Sequence, residues 1–336
     1  MAEIHGGEYI TNETNENSQG GTEQLTQKLS QVLNPELLKE FQIISSRVRD
    51  LDEDKIRIFW AHDLPGDPES EFLKDKSSHD KFHKFVFVSN WQMQGYMQQY
   101  GIPWSKCIVL QNAIEPIPEH TKPDPKEKVN LIYHSTPHRG LNILVPVFEH
   151  LYKKYEDKIH LDIFSSFELY GWGDRDAQYK DVFDRIEQHP GMVNHGTVPN
   201  EGIREALQEA HIFAYPSIWA ETSCLCLMEA MSAGCVAVHS NYAALYETAA
   251  NWTNMYQLHE DQNKHAGTLY NMLEGTIDHI TEMMPKTQSA KSYVDLFYSW
   301  TSRKFEWEAL LQSLVASVKD RSIPSEKFSY STDPVL

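Results

Sequence analysis

The chain has 336 residues, with 30 Lys and Arg against 48 Asp and Glu and a formal net charge of −18, which is length enough for two domains with separate cores. So acidic a chain argues against coating nucleic acid or docking on an anionic membrane, both of which rely on basic side chains. No segment approaches the ~18 consecutive apolar residues of a membrane span, the start MAEIHGGEYITNETNEN lacks a signal peptide's basic-then-apolar layout, and four Cys (107, 224, 226, 235) are too few for a disulfide scaffold, so a soluble protein of a reducing, cytoplasmic compartment is expected.

Taken in chain order, the first 28 or so residues are rich in Asn, Glu, Thr, Gln and Gly and read as an arm or active-site loop with no opening strand. TEQLTQKLSQVL places Leu25, Leu29, Val32 and Leu33 at helical spacing. FQIISSRV, KIRIFWAH, KFVFVS and KCIVLQNAI are strand-like runs, and WQMQGYMQQYG is a helix expected to end at Gly101. HTKPDPKEK (120–128), with two Pro, five charged residues and no large apolar side chain, is the best linker candidate.

Beyond it the alternation of strand and helix restarts. VNLIYHS, IHLDIFSS, MVNHGTV, HIFAYPS and VAVHS are five strands, interleaved with GLNILVPVFEHLYKKY, DVFDRIEQ, IREALQEA and LCLMEAMSAG as helices. That pattern predicts a Rossmann-like domain over 129–299. An N-terminal Rossmann-like domain is expected over 1–121, with SRKFEWEALLQSLVASV inside a helix at 300–325 packing back on it. Ligands of such folds bind beyond the carboxyl ends of the strands, so an interdomain nucleotide site is predicted.

The segment YPSIWAETSCLCLMEAMSAGC (215–235) carries the most chemistry. Glu221 lies at a loop-to-helix junction and Glu229 two turns into the helix, roughly 12 Å away at most along the axis. Between them the amides of Ser223, Cys224 and Leu225 point out of the helix N-terminus and suit a diphosphate. Asp174-Arg-Asp176 and the His79/His83 and His134/His138 pairs are poor metal motifs, because their context lacks the strand pattern or the Glu that such motifs need. Cys224 and Cys226 read as small buried thiols.

With Glu221 and Glu229 spaced as they are, this segment resembles the Glu-(seven)-Glu signature of retaining GT-B glycosyltransferases, the glycogen-synthase-like family 4. E-T-S-C-L-C-L-M-E-A-M stands here for the commoner E-G-F-G-L-x-x-x-E-A-M, with Thr222 and Cys224 in place of glycines. Other segments agree. SQGGTEQL is similar to the family's Gly-Gly loop, with Gly20 and Gly21 as the pair, and IRIFWAHDLP is similar to the strand that delivers a His, here His62, to the cleft floor. LIYHSTPHRGLNIL resembles the turn with a basic residue before Gly, here Arg139–Gly140; the second basic residue of the family, five or six positions earlier, is replaced by His134 or Tyr133. HGTVPNEGIREAL resembles the segment beside the base, with contact near Val198, and SNYAALYET resembles a turn before a Glu, here Glu247.

The resemblance implies an α/β GT-B fold, two Rossmann-like domains facing across a cleft, with a reduced N-terminal domain. It implies transfer of a sugar from a UDP- or GDP-linked donor to an acceptor hydroxyl on a glycan, lipid or protein, with retention and without metal or further cofactor. His62, Arg139 and Glu221 would be the catalytic residues. Gly20, Gly21, Arg139, Val198, Thr222, Ser223, Cys224, Leu225 and Glu229 would bind the donor. The alternative is a catalytically reduced GT-B protein that serves as a nucleotide or glycan binding module.

Overall fold

The computed structural model describes residues 2–11 and 21–319. Gly20 and the part of the 300–325 helix beyond 319 lie outside the described residues.

The first body is a six-stranded sheet in the order β2-β1-β3-β4-β5-β6. Its strands are β1 (Ala2–His5), β2 (Glu8–Thr11), β3 (Phe41–Ser45), β4 (Ile56–Ala61), β5 (Lys84–Phe87) and β6 (Cys107–Val109). β3 to β6 are parallel. The expected opening loop without a strand is corrected by β1 and β2, an antiparallel hairpin on the sheet edge. Gly6 and Gly7 both have positive φ (59° and 95°), the requirement of a two-residue hairpin turn whose twist matches its strands. Ala2 and Ile4 point inward while Glu3 and His5 stay partly exposed, and four residues of such alternation are too few to stand out in a polar sequence.

Helix α1 (Gly21–Val32), the short α2 (Pro35–Leu38) and α3 (Asn90–Tyr100) complete the first body. The α1 stripe Leu25–Leu29 packs on one face of the sheet, where Ile4, Ile43, Ile58 and Trp60 meet Trp307, Leu310 and Leu311. The other face is filled largely by aromatic rings, among them Phe59, Phe82, Phe85, Phe87 and Tyr96.

The second body holds β7 (Val129–His134), β8 (Ile159–Phe164), β9 (Met192–Asn194), β10 (Ile212–Tyr215), β11 (Val236–Ser240) and β12 (Asn254–Tyr256), in the order β12-β11-β10-β7-β8-β9. All pairings are parallel, and β12 adds a sixth strand to the five expected. Helices α4 (Leu141–Tyr155), α5 (Lys180–Glu187), α6 (Asn200–Glu209), α7 (Leu225–Ser232) and α8 (Leu245–Ala249) connect them; α9 (Gln262–Asp278), α10 (Ile280–Met283) and α11 (Thr287–Phe297) follow. The strand order reverses between β7 and β10, so the loops leaving these two strands diverge and open a crevice at their carboxyl ends.

The chain passes between the bodies twice, and the two passes are tied together. Ile114 N–H donates to Tyr298 C=O at 2.8 Å. The buried Lys291 ammonium donates to the carbonyls of Ile117 and Ser232 and pairs with Asp295 at 2.7 Å. The 120–128 segment is fastened to the second body: Lys122 donates to the carbonyls of Leu207 and Ala210 at 2.8 and 2.6 Å, at the carbonyl-rich end of α6. Helix α12 (Trp300–Lys319) returns to the first body, where Trp307 meets Trp60 edge-on at 5.1 Å. Such an aromatic pair adds about 0.5–1.5 kcal/mol beyond its buried area.

Candidate active site

The crevice deepens between the bodies into a cavity of about 750 Å³, lined by α1, the ends of β4, β7 and β8, and the loops after β9 and β10. That volume suits a ligand larger than a single sugar.

Its floor is built at the reversal of strand order. Beyond β7 the chain turns through Arg139 and Gly140 into α4; beyond β10 it runs through Glu221 into α7. Gly140 has φ +110°, and a Cβ there would overlap the carbonyl of Pro216. Only glycine lets the two loops approach so closely. This approach sets Arg139 Nε 3.4 Å from Glu221 Oε1. Tyr215 O–H also donates to Glu221, at 2.6 Å. Burial pushes the Glu221 carboxyl up from its ordinary value, while Arg139 and Tyr215 restrain it. Burial works most strongly against the Arg139 charge too, but Glu221 together with Tyr215, Tyr170 and Cys226 outweighs it and the guanidinium stays ionised.

The second element is the N-terminus of α7. Thr222, Ser223, Cys224 and Leu225 line the cavity, and no side chain among the described residues caps the helix, whose N-cap is Cys224. Its first amides are therefore anion donors without a side-chain competitor. Glu229 is buried one turn into α7, with Asn200 Nδ2 at 3.1 Å and Arg204 at 3.8 Å. Burial raises its carboxyl, and His134 opposes the rise.

The first body supplies the opposite wall. Gly21, the first residue of α1, lines the cavity together with Thr22, Glu23 and Gln24. His62 follows β4; burial drops its imidazole to about 3, so it is neutral at ordinary pH. Its Nε2 is buried with no partner among the described residues. Its carbonyl accepts a hydrogen bond from Thr222 Oγ1 at 3.1 Å, which links the walls. Val198 lines the far end with Gly196 and Thr197. The structure thus brings together every sequence-predicted site residue it describes.

Among the described residues, buried polar atoms without hydrogen-bond partners concentrate in this cavity: His62 Nε2, Asn112 Oδ1, His134 Nε2, Thr136 Oγ1 and His138 Nδ1. Native proteins leave few such atoms, and a cluster on one concave surface marks groups arranged for a ligand.

Several participants were not legible in the sequence. Tyr215, Asn200 and Arg204 hold the two glutamates through contacts that no local motif encodes. His134 lies beside the thiols: Cys224, with His134 and Arg139, holds Cys226 well below the usual thiol range, and Cys226 together with Glu229 outweighs the effect of burial on His134. The excursion between β8 and α5 adds Tyr170, Trp172 and Arg175. Within it Asp176 accepts from Ser166 and Phe167 N–H and closes the loop. Glu247 lies away from the cavity; its carboxylate accepts from Asn90 N–H and Nδ2 at 2.9 Å each and Trp91 N–H at 3.2 Å, at the N-terminus of α3.

Two Rossmann-like bodies, a cleft between them and a nucleotide-type crevice in the second define the GT-B fold of glycosyltransferases. Residues 114–269 match the model of a family described as glycosyl transferases group 1. The fold is similar to that of Anabaena Alr3699/HepE, solved in complex with UDP-glucose (14% identity, TM-score 0.60, 77% of this chain and 72% of that one). It is similar to sucrose-phosphate synthase from Thermosynechococcus elongatus (13%, TM-score 0.60, 78% and 68%) and to the trehalose 6-phosphate synthase of Burkholderia multivorans (10%, TM-score 0.59, 79% and 68%). Of TarM, another similar structure, the chain spans about half the length (51%). Among curated protein sequences there is no significant match.

Proposed function

We propose that this protein is a retaining glycosyltransferase that moves a hexosyl group from a UDP- or GDP-linked donor to an acceptor hydroxyl, without a metal ion. The observation that carries the reading is the convergence of Arg139, Glu221, Glu229 and the α7 N-terminus on one cavity rich in unpartnered polar atoms. The domain assignments 1–121 with the 300–325 helix, and 129–299, are part of the same reading: the first body faces the acceptor and the second holds the nucleotide. The UDP-glucose complex of the Anabaena neighbour supports the donor class.

Glu229 accepts hydrogen bonds from the ribose hydroxyls, and the backbone near Val198 borders the base. The amides of Thr222, Ser223, Cys224 and Leu225, with Gly21 from the opposite wall, surround the diphosphate. As the bond from C1 to the phosphate oxygen breaks, negative charge grows on the phosphate, and Arg139 with the helix amides stabilises it. Preorganised donors of this kind typically supply the largest single catalytic term. The departing phosphate takes the acceptor proton as the acceptor oxygen bonds to C1 on the same face, so the configuration is retained. Glu221, held by Arg139 and Tyr215, orients the donor sugar through its hydroxyls. Neutral His62 offers a hydrogen bond from the opposite wall and is not a general acid at ordinary pH.

The test is a thermal-shift screen against UDP- and GDP-sugars, followed by donor hydrolysis with no acceptor added. A donor that raises the melting temperature and is slowly hydrolysed is the expected result. Binding with neither hydrolysis nor transfer would make the protein a recognition module, and binding of no nucleotide would overturn the reading.

A further inference from the structure

The charge balance of the cavity points to a residue outside the functions assigned so far. Among the described residues lining it, the permanent cations are Arg47, Arg139 and Arg175. Arg139 faces Glu221 at 3.4 Å, and Arg47 lies 3.8 Å from Glu69. Each shares its charge with a carboxylate. A nucleoside diphosphate brings at least two negative charges into a protein whose net charge is already −18, so local positive charge has to exceed what these two pairs leave over.

Arg175 is placed differently. It belongs to the 3-10 segment Gly173–Tyr179, in the excursion between β8 and α5. Its guanidinium lies over the indole of Trp172, 4.2 Å from the ring centroid. No carboxylate stands within ion-pair distance of it among the described residues. Neighbouring Asp176 is occupied with Ser166 and Phe167. Stacking on an aromatic face holds a guanidinium flat and leaves its N–H edge open. Trp172 in turn meets Tyr170 at 5.3 Å, and Tyr170 lines the cavity beside Arg139. His138, on the same wall, is lowered to about 4 by burial and then by Arg139 and Arg175, so the fields of the two guanidiniums overlap there.

We propose that Arg175, presented on Trp172, is a second binding residue for the donor's terminal phosphate and supplies the charge that Arg139 shares with Glu221. This rests on the nucleotide-donor reading above. A guanidinium with a free N–H edge binds a phosphate through two parallel hydrogen bonds, which the ammonium of Lys cannot reproduce.

The experiment is calorimetric titration of the full chain with UDP and UMP, and with GDP and GMP, for the parent protein, Arg175→Ala, Arg175→Lys and Trp172→Ala. Arg175 and Trp172 are exposed, so folding of the variants is not at stake. For the base that binds, Arg175→Ala should weaken the diphosphate about ten- to a hundredfold and leave the monophosphate unchanged. Arg175→Lys should recover only part of the loss, and Trp172→Ala should fall between parent and Arg175→Ala. Equal diphosphate affinity in parent and Arg175→Ala overturns the proposal and leaves the donor reading standing. Unchanged diphosphate affinity with a raised KM for an acceptor also overturns it, and assigns Arg175 to the acceptor instead. If the parent binds none of the four nucleotides, the donor reading itself fails and this proposal falls with it.

Discussion

Replacing Arg139 by Ala separates what the Arg139–Glu221 pair contributes to stability from what it contributes to chemistry. Glu221 is 6% exposed and would keep only the Tyr215 hydroxyl as a side-chain partner. Breaking a fully buried pair costs about 3–5 kcal/mol. A fifth of the Arg139 side chain is accessible and the Tyr215 bond survives, so about 2–3 kcal/mol is expected near neutral pH. The loss depends on pH. Burial already raises the Glu221 carboxyl, and without Arg139 it rises further. A carboxyl raised by folding favours the native state while protonated, below its unfolded value, and that stability is lost as pH rises through the folded value. The deficit of the variant should therefore be largest above neutrality and shrink as pH falls toward about 4.5. Adding Glu221→Gln removes the uncompensated charge, keeps an oxygen for Tyr215 and should recover most of the stability. Turnover should drop about 10²–10³-fold in Arg139→Ala and stay low in the double variant. Urea unfolding of the parent, both single variants and the double variant, at neutral and acid pH, supplies the cycle. If the two losses simply add near neutrality, with no coupling of at least about 1 kcal/mol, the account of this pair is wrong.

Three further outcomes follow from the same geometry. Glu229→Ala should cost about ten- to a hundredfold in nucleoside-diphosphate affinity by calorimetry; unchanged affinity would refute the ribose assignment. His62 is neutral and buried with its pKa lowered to about 3, so the stability it allows is present above about 6.5 and lost as pH falls, by about 1.4 kcal/mol per pH unit. His62→Asn should flatten the acid side of the stability profile, and an unaltered profile would show that the imidazole does not resist protonation. Glu247→Ala removes the carboxylate that the second body places on the N-terminus of α3, a cap worth about 1 kcal/mol. Small-angle scattering should show a larger radius of gyration if this contact helps hold the bodies together; the parent's scattering curve would assign it a local role.

Much of the second body was legible because its strands are short, continuous apolar runs, each followed by a helix or a turn. Glu221, the α7 amides and Glu229 lie within a single loop-to-helix junction, so their relation is local and a one-dimensional pattern can carry it. The Arg139–Gly140 turn is similarly local, and the positive φ of Gly140 explains the residue type. The β1–β2 hairpin is not legible in the sequence because its apolar face is Ala2 and Ile4 alone, and β12 is not because three residues hold no periodicity.

By itself the sequence determined the alternating layers, the acidic balance and the two glutamates astride a helix end. Tertiary structure decided which of these meet. Arg139 reaches Glu221 because β7 and β10 are neighbours where the strand order reverses, and hydrogen bonding between distant strands sets that adjacency. The neutral state of His62 and the lack of a carboxylate partner for Arg175 among the described residues are likewise properties of their surroundings, since burial and charge are sums over everything that packs nearby. The −18 of the whole chain thus leaves open what the cavity holds: three guanidiniums at one cleft, two of them shared with carboxylates and one without such a partner among the described residues.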